Sequence, residues 1–501
     1  MLRRVVITSL AVINCLPLLL TLPVQAAPAP VASGSWVMVP QSKDANSDGF
    51  IDGDGGVPAS GALALQPSTT YVGAGNYIAQ PNERLIGGAL SWYLDPAGYP
   101  VQLTACASTG DNYVWTISQG QTIVKTTPER TIKKKTCKTT VTLPEGDYNF
   151  KLTVKSGNAK RVQNLTATVK NYLMVALGDS YASGEGNPRN IEAWLTQAGS
   201  FSPYWDDDGC NRSARGGPAQ AALRLEQSSP RTSVTLIYAA CSGATVDRGI
   251  LGPQPAAGAS TSQVEQVRSL IGTRGIDILT ISIGGNDVGF QSVLTTCALA
   301  ANCPTAKAVT LPLSEYQDVQ TGLQARIGQL PASLARIAPC FGGPCTLGNG
   351  SKSPGLVMNV GASVLPMPYP DITRAANGSA CSYLTIDQAD FTWARDTILT
   401  PTAPNPYPYQ PSRGQSLALP MNSGTLNGAI FTTASTLGWN PVVGIWSASG
   451  DSSTGHGVCA ADSAWAFGLT GITGFTSGSF HPNVKGQEVI GREIAKVVGV
   501  Q

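Results

Sequence analysis

The chain has 501 residues, charged side chains make up 13% of it, and its formal net charge is +2. That length exceeds what a single hydrophobic core usually serves, so two domains are expected. The near-neutral balance excludes a nucleic-acid surface held by bulk electrostatics, and the Lys133-Lys134-Lys135 run reads as a solvated strand or loop edge.

At the N-terminus, Arg3 and Arg4 precede an apolar stretch from Val5 to Leu22 and the small-residue site Val24-Gln25-Ala26. This is the pattern of an export signal over residues 1–26, with the mature chain starting near Ala27. A lipid anchor at Cys15 is the alternative. Asn14 and the continuation of the apolar run past Cys15 both speak against it. No later stretch reaches the ~18 apolar residues that a membrane span needs, so no transmembrane segment is expected. Removal of Cys15 leaves ten cysteines. An even number in an exported chain favours disulfides over metal sites or free thiols. Local pairing joins Cys106 with Cys137, Cys210 with Cys241, Cys297 with Cys303, Cys340 with Cys345 and Cys381 with Cys459, although sequence alone does not fix that connectivity.

Residues 35–169 are rich in Thr, Val and Gly and alternate with a period of two. In "YNFKLTVK" the side chains of Tyr148, Phe150, Leu152 and Val154 share one face of a strand, and "LTATVK" from Leu165 is a second strand. Through "LPEGDYNFKLTV" this region resembles a β-sandwich of immunoglobulin or PKD type, smaller than the domain that follows. Substrate binding, surface binding and structural support are all open to it. Inside it, "DANSDGFIDGDGG" places Asp44, Asn46, Asp48 and Asp52 at positions 1, 3, 5 and 9 of an EF-hand-like loop, with Gly49 at the turn. Position 12 is Gly55 where a bidentate Glu would stand. Two readings remain, a structural calcium ion in altered geometry or an acidic turn.

After Lys170 the pattern changes to apolar runs of buried-strand length: Tyr172–Leu177, Val234–Ala239, Asp277–Ile283, Leu356–Val360 and Val442–Trp446. Helical spacing lies between them, as in Leu323, Ile327, Leu330, Leu334 and Ile337, where Pro331 is a point of break or restart. A last helix carries Val489, Ile490, Ile494, Val497 and Val498 on its apolar side. Strand and helix in alternation predict a parallel sheet covered on both faces, with ligands at the C-terminal strand ends.

The residues able to do chemistry fall at those ends. The first strand runs into "GDSYASGEG", where Gly178 permits a tight turn and Ser180 follows at the sheet edge. The second ends in "ACSGAT" with Gly243, and the third in "ISIGGNDVGF" with Asn286. A backbone N–H freed by glycine and an uncharged carboxamide are both donors suited to a developing oxyanion. Taken singly, these residues read as a cap, a turn glycine and another cap. Three such ends in order, followed by His481 in "GSFHPN", form a constellation.

With these blocks the chain resembles the SGNH, or GDSL-type, serine hydrolases from about Asn171 to its C-terminus. "GCNRS", "PYPDI" and "GHGVCAADSAW" are similar to features of secreted bacterial esterases and lipases of that family. The resemblance implies a three-layer α/β/α hydrolase domain over residues 171–501. It implies Ser180 as nucleophile and His481 as general base, with an oxyanion hole formed by the N–H groups of Ser180 and Gly243 and the side chain of Asn286. Cysteine pairs 210–241, 297–303 and 381–459 match the family's disulfide habit. Such a site transfers an acyl group to water and needs no metal or organic cofactor.

One departure stands out. The family usually carries an Asp three residues before the histidine, and here that position is Gly478. The Gly478 carbonyl is the expected acceptor for the imidazole Nδ1–H, with Asp462 as a distant carboxylate and an inactive relic as the other readings. His456, in "GHGVC" just before Cys459, reads as a structural residue beside a disulfide. The expected protein is thus a secreted esterase or lipase with a Ser180–His481 dyad and an ester substrate. The alternatives are a polysaccharide O-acetyl esterase and a catalytically silent surface-binding protein.

Overall fold

The computed structural model describes residues 29–40, 44, 49–51, 78–79, 98–191, 203–400, 423–449, 455–469 and 478–499. The export-signal segment 1–26 and the loop residues Asn46, Asp48 and Asp52 lie outside them. The chain divides into two compact units. One takes Met1–Ser35, Thr104–Thr139 and Asn149–Thr166; the other takes Trp36–Leu103, Thr140–Tyr148 and Ala167–Gln501. No helix among the described residues is long and apolar enough to cross a membrane.

The first unit is antiparallel. Strands β1 (Asn112–Gln119), β2 (Thr122–Thr126), β3 (Gly146–Ser156) and β4 (Ala159–Val169) lie in the sheet order β2-β1-β3-β4. The period-two pattern is realised as alternation across the sheet. Tyr113, Trp115 and Ile117 of β1 are buried, as are Phe150, Leu152 and Val154 of β3. The Cys106–Cys137 disulfide belongs to this unit. Lys133, Lys134 and Lys135 are exposed in a turn, as a solvated edge requires.

The second unit is built on a parallel sheet. β5 (Asn171–Gly178) pairs with β6 (Ser233–Tyr238) on one side and β7 (Ile276–Ser282) on the other. β8 (Met358–Pro366) flanks β7, and the short strand Ile78–Ala79 flanks β6. Consecutive residues of β5 feed opposite faces. Leu173, Val175 and Leu177 join one apolar cluster, and Met174 and Ala176 join the other. Helices cover both clusters, because a sheet apolar on both faces must be buried on both. On the first side lie α3 (Gln263–Ile271), α6 (Val319–Ala335) and α7 (Leu426–Thr436), and on the second α2 (Gly217–Gln227) and α8 (Val484–Val497).

Two expected elements differ. Val442–Trp446 is not a strand, since Val443–Ser449 is helical. An apolar run of five residues does not separate a buried strand from a buried helix. The run at Leu356–Val360 becomes a strand only at Met358 and continues to Pro366. Pro331 neither breaks nor restarts α6. The buried stripe Val319, Leu323, Ile327, Leu330 and Leu334 passes across it, so packing on both sides holds the helix together.

The other four disulfides pair as local spacing suggested: Cys210–Cys241, Cys297–Cys303, Cys340–Cys345 and Cys381–Cys459. The first of these ends three residues after β6, one residue before Ser242 and two before Gly243. Buried Arg212 stiffens the same corner by donating from Nε to the Ala240 carbonyl at 2.9 Å.

Candidate active site

The carboxyl end of β5 enters a close junction. A Cβ built on Gly178, whose φ is +133°, would stand 2.2 Å from the Ser282 carbonyl oxygen at the end of β7, so only glycine fits. The next N–H, that of Asp179, donates to that carbonyl at 2.8 Å. Asp179 then caps the short helix α1 (Ser180–Ser183), with Oδ1 accepting the Tyr181 N–H at 3.1 Å. Ser180 is thereby fixed at the first helical position, just past the carboxyl end of the central strand.

Its partner arrives from just before α8. His481 Nε2 lies 2.7 Å from Ser180 Oγ. His481 Nδ1 lies 2.9 Å from the carbonyl oxygen of Ser479. A carbonyl only accepts, so Nδ1 carries the proton and Nε2 presents its lone pair to the serine hydroxyl. The orienting group is therefore a main-chain carbonyl, but that of Ser479, which corrects the assignment to Gly478. The Gly478 carbonyl is occupied elsewhere, accepting the His481 backbone N–H at 2.9 Å. With Nδ1 satisfied by Ser479, Asp462 is not its acceptor. The Asp462 carbonyl instead accepts from Lys485 Nζ at 2.7 Å.

The loop that carries His481 is pinned from the side of Ser180. Tyr181 donates its hydroxyl to the Phe480 carbonyl at 2.7 Å, and Asn187 donates from Nδ2 to the Pro482 carbonyl at 2.8 Å. These bonds bracket the histidine and hold Phe480 at φ +60°, which is uncommon for a bulky residue. Gly478 has a different task from the one expected. It sits at φ +100°, and a Cβ there would come within 2.5 Å of the Gly186 Cα. The two loops touch backbone to backbone.

The other two strand ends complete the cleft. Gly243 follows β6. Asn286 lies in α4 (Gly285–Val288) after β7, and its Nδ2 donates to the Ala244 carbonyl at 2.9 Å, leaving the second amide hydrogen for the cleft. Ser180, Gly243, Asn286, Gly478 and His481 all line one cleft of about 540 Å³. Phe290, Leu294, Leu299 and Leu469 supply apolar surface in it. Phe290 and Leu294 project from α5 (Phe290–Cys297), which follows α4 directly.

Beneath the cleft, buried groups have shifted titration. Burial pushes the Asp179 carboxyl up to about 7, although hydrogen bonds from Tyr369 and the Tyr181 N–H oppose the shift. Burial likewise raises Asp287 to about 6 against the Val246 N–H that it accepts. Tyr181 and Tyr369 are raised above the ordinary phenol range by burial, so both remain neutral donors.

Four contributors to the site were not singled out in the sequence. Ser479 supplies the orienting carbonyl, Tyr181 and Asn187 fix the histidine loop, and Glu185 places a carboxylate oxygen 3.6 Å from His481 Nε2. Glu185 stands inside "GDSYASGEG", where a carboxylate five residues after a serine nucleophile was the available signal. His456 is away from the cleft. Its ring stacks on Trp465 at 3.6 Å, and its Nδ1 donates to the Ser463 carbonyl at 2.8 Å. Asp44 accepts the Gly49 N–H at 2.9 Å through Oδ2, a bond that closes a turn. Among the described residues no group of three or more His, Cys, Asp or Glu side chains is arranged to hold a metal.

Residues 176–381 match the model of the GDSL-like Lipase/Acylhydrolase family. A lipase of Streptomyces rimosus is 28% identical over 192 residues, which cover 36% of this chain and 58% of the relative. Lipase 1 of Streptomyces coelicolor is 35% identical over 128 residues, or 25% of this chain and 34% of that protein. The chain thus spans less than two thirds of the length of either relative. Among solved structures, the extracellular lipase from Streptomyces rimosus aligns with a TM-score of 0.36 at 21% identity, covering 65% of this chain and 99% of the other. A putative arylesterase from Agrobacterium tumefaciens aligns with a TM-score of 0.28 at 12% identity, covering 65% and 98%.

Proposed function

We propose that the chain is a secreted serine esterase or lipase acting through a Ser180–His481 dyad, a reading supported by the match of residues 176–381 to the GDSL-like lipase/acylhydrolase family. The observation that carries this reading is the hydrogen-bonded line from the Ser479 carbonyl through the imidazole to Ser180 Oγ, at 2.9 and 2.7 Å, opening into the cleft. In the reaction, Ser180 Oγ attacks the ester carbonyl carbon while its proton passes to His481 Nε2. The resulting oxyanion is met by the N–H groups of Ser180 and Gly243 and by the Asn286 amide, each such donor contributing roughly 3–4 kcal/mol. The tetrahedral adduct collapses, the C–O bond to the alcohol breaks, and Nε2 returns its proton to the leaving oxygen. Water then repeats the sequence on the acyl-enzyme and regenerates Ser180.

The apolar wall of Phe290, Leu294, Leu299 and Leu469 supports an acyl chain longer than acetyl over a polysaccharide acetyl group. Export agrees with the five disulfides. The antiparallel unit is read as a support of immunoglobulin or PKD type. A chain-length series of p-nitrophenyl esters, run beside acetylated xylan, tests the proposal. Turnover rising beyond the acetyl ester and absent in Ser180→Ala supports it. Turnover confined to xylan would replace it with the acetyl esterase reading, and none on any ester would leave a binding protein.

A further inference from the structure

Glu185 has a place that the dyad leaves unexplained. It follows α1, and its backbone N–H donates to the Ser180 carbonyl at 3.1 Å, so its position is tied to that of the nucleophile. Its side chain turns into the cleft and is 13% exposed. There Oε2 accepts from the Ser242 hydroxyl and stands 3.6 Å from His481 Nε2, the nitrogen that faces Ser180. Ser242 is itself held, since its N–H donates to the Cys210 carbonyl at 3.0 Å and its carbonyl accepts from Gln254 Nε2. Among the described residues no lysine or arginine lies within ion-pair distance of Glu185.

A site without the usual Asp needs something else to stabilise the imidazolium that forms in each half-reaction. The Ser479 carbonyl fixes the tautomer and the ring plane but offers only a dipole. Glu185 offers a full negative charge beside the nitrogen that becomes protonated. At 3.6 Å it is too far to take the Nε2 proton in a good hydrogen bond, so it does not compete with Ser180 for the ring. The low exposure of both partners keeps the interaction from being screened away by water.

We propose that Glu185 is the charge partner of His481, a positioning residue that supplies the electrostatic half of the missing Asp's role while the Ser479 carbonyl supplies the orienting half. This rests on the Ser180–His481 reading above. The test compares wild type with Glu185→Gln and Glu185→Asp, using a short p-nitrophenyl ester and the rate of inactivation by a fluorophosphonate, since Ser180 attack on phosphorus raises the same imidazolium. Glu185→Gln keeps the shape and the acceptor for Ser242, so kcat and the inactivation rate should both fall roughly ten- to a hundredfold while KM moves less than about threefold. Glu185→Asp, charged but one methylene shorter, should recover part of both losses. Circular dichroism and the melting temperature should stay at wild-type values in the Gln variant. Wild-type rates in Glu185→Gln, or a loss that Asp does not relieve, would overturn the charge partnership and leave the esterase reading standing. A wild-type protein that neither reacts with the probe nor hydrolyses esters would overturn both.

Discussion

Tyr369 and Asp179, 190 residues apart in sequence, share a hydrogen bond beneath the cleft, with the tyrosine hydroxyl donating to Asp179 Oδ2. The same hydroxyl accepts the Gly285 N–H at 2.7 Å. One side chain thus joins the strand end that carries Ser180 to the strand end that carries Asn286. Both partners are buried, so neither has water as a substitute.

Tyr369→Phe should therefore destabilise the hydrolase unit by about 1–3 kcal/mol, the usual cost of leaving a buried donor and acceptor unpaired. Urea unfolding measures this. A variant as stable as wild type would show that the bridge contributes nothing.

The Asp179 carboxyl, raised to about 7 in the folded protein, gives stability a pH dependence of definite sign. Below the unfolded-state pKa, near ~3.9, both states are protonated and the full contribution is present. As pH rises from about 4 to 7, the unfolded chain has lost the proton that the folded chain retains, so stability declines, and above 7 it levels off. Asp287, raised to about 6, acts in the same direction. Asp179→Asn should flatten the decline without abolishing it. Unfolding midpoints measured at several pH values from 4 to 8 report this, and parallel profiles for the two proteins would refute it.

Ser180→Ala should abolish ester hydrolysis and fluorophosphonate labelling with the fold intact, because the change removes one hydroxyl facing the cleft and no apolar packing. His481→Ala should be nearly inactive. Ser479→Ala should hold activity within about threefold and Asp462→Asn within about tenfold, against the roughly ten-thousandfold cost of losing a triad Asp. A well-folded Asp462→Asn that lost a thousandfold would replace the dyad with a triad.

Gly478→Ala should lose most activity. The new Cβ would sit 2.5 Å from the Gly186 Cα in a backbone conformation with φ +100°, forcing the histidine loop away from Ser180. Steady-state rates together with circular dichroism separate a displaced histidine from a collapsed fold, and near-wild-type turnover would contradict the contact.

Cys210→Ser should lower stability by about 2–4 kcal/mol, as loops of this kind closed by a disulfide commonly do. Turnover at a temperature where the variant stays folded should fall far less, because the Cys210–Cys241 bridge borders Gly243 without lining the cleft. Unchanged unfolding midpoints would argue against the bridge.

The sequence made Ser180, Gly243, Asn286 and His481 legible for one physical reason. Each of the first three stands within a few residues of the carboxyl end of a buried apolar strand, and a strand end is where a parallel sheet presents side chains to a ligand. What escaped depended on conformation or on distance along the chain. The choice between Gly478 and Ser479 as acceptor turns on the positive φ of Phe480, which residue identity does not announce. The Tyr369–Asp179 bridge spans half a domain and has no local pattern. At Val442 the apolar run carried no periodicity, so its helix was hidden where the longer α6, with its 3.6-residue stripe, was plain.

The acceptor at Ser479 also sets how this site can be lost. A catalytic carboxylate vanishes with nearly any replacement of its codon, whereas every amino acid carries the carbonyl that His481 uses. The carbonyl at position 479 survives any point change, and the hazard to it moves from substitution to spacing. Deleting one residue between Gly478 and His481 would remove what no point change at 479 could.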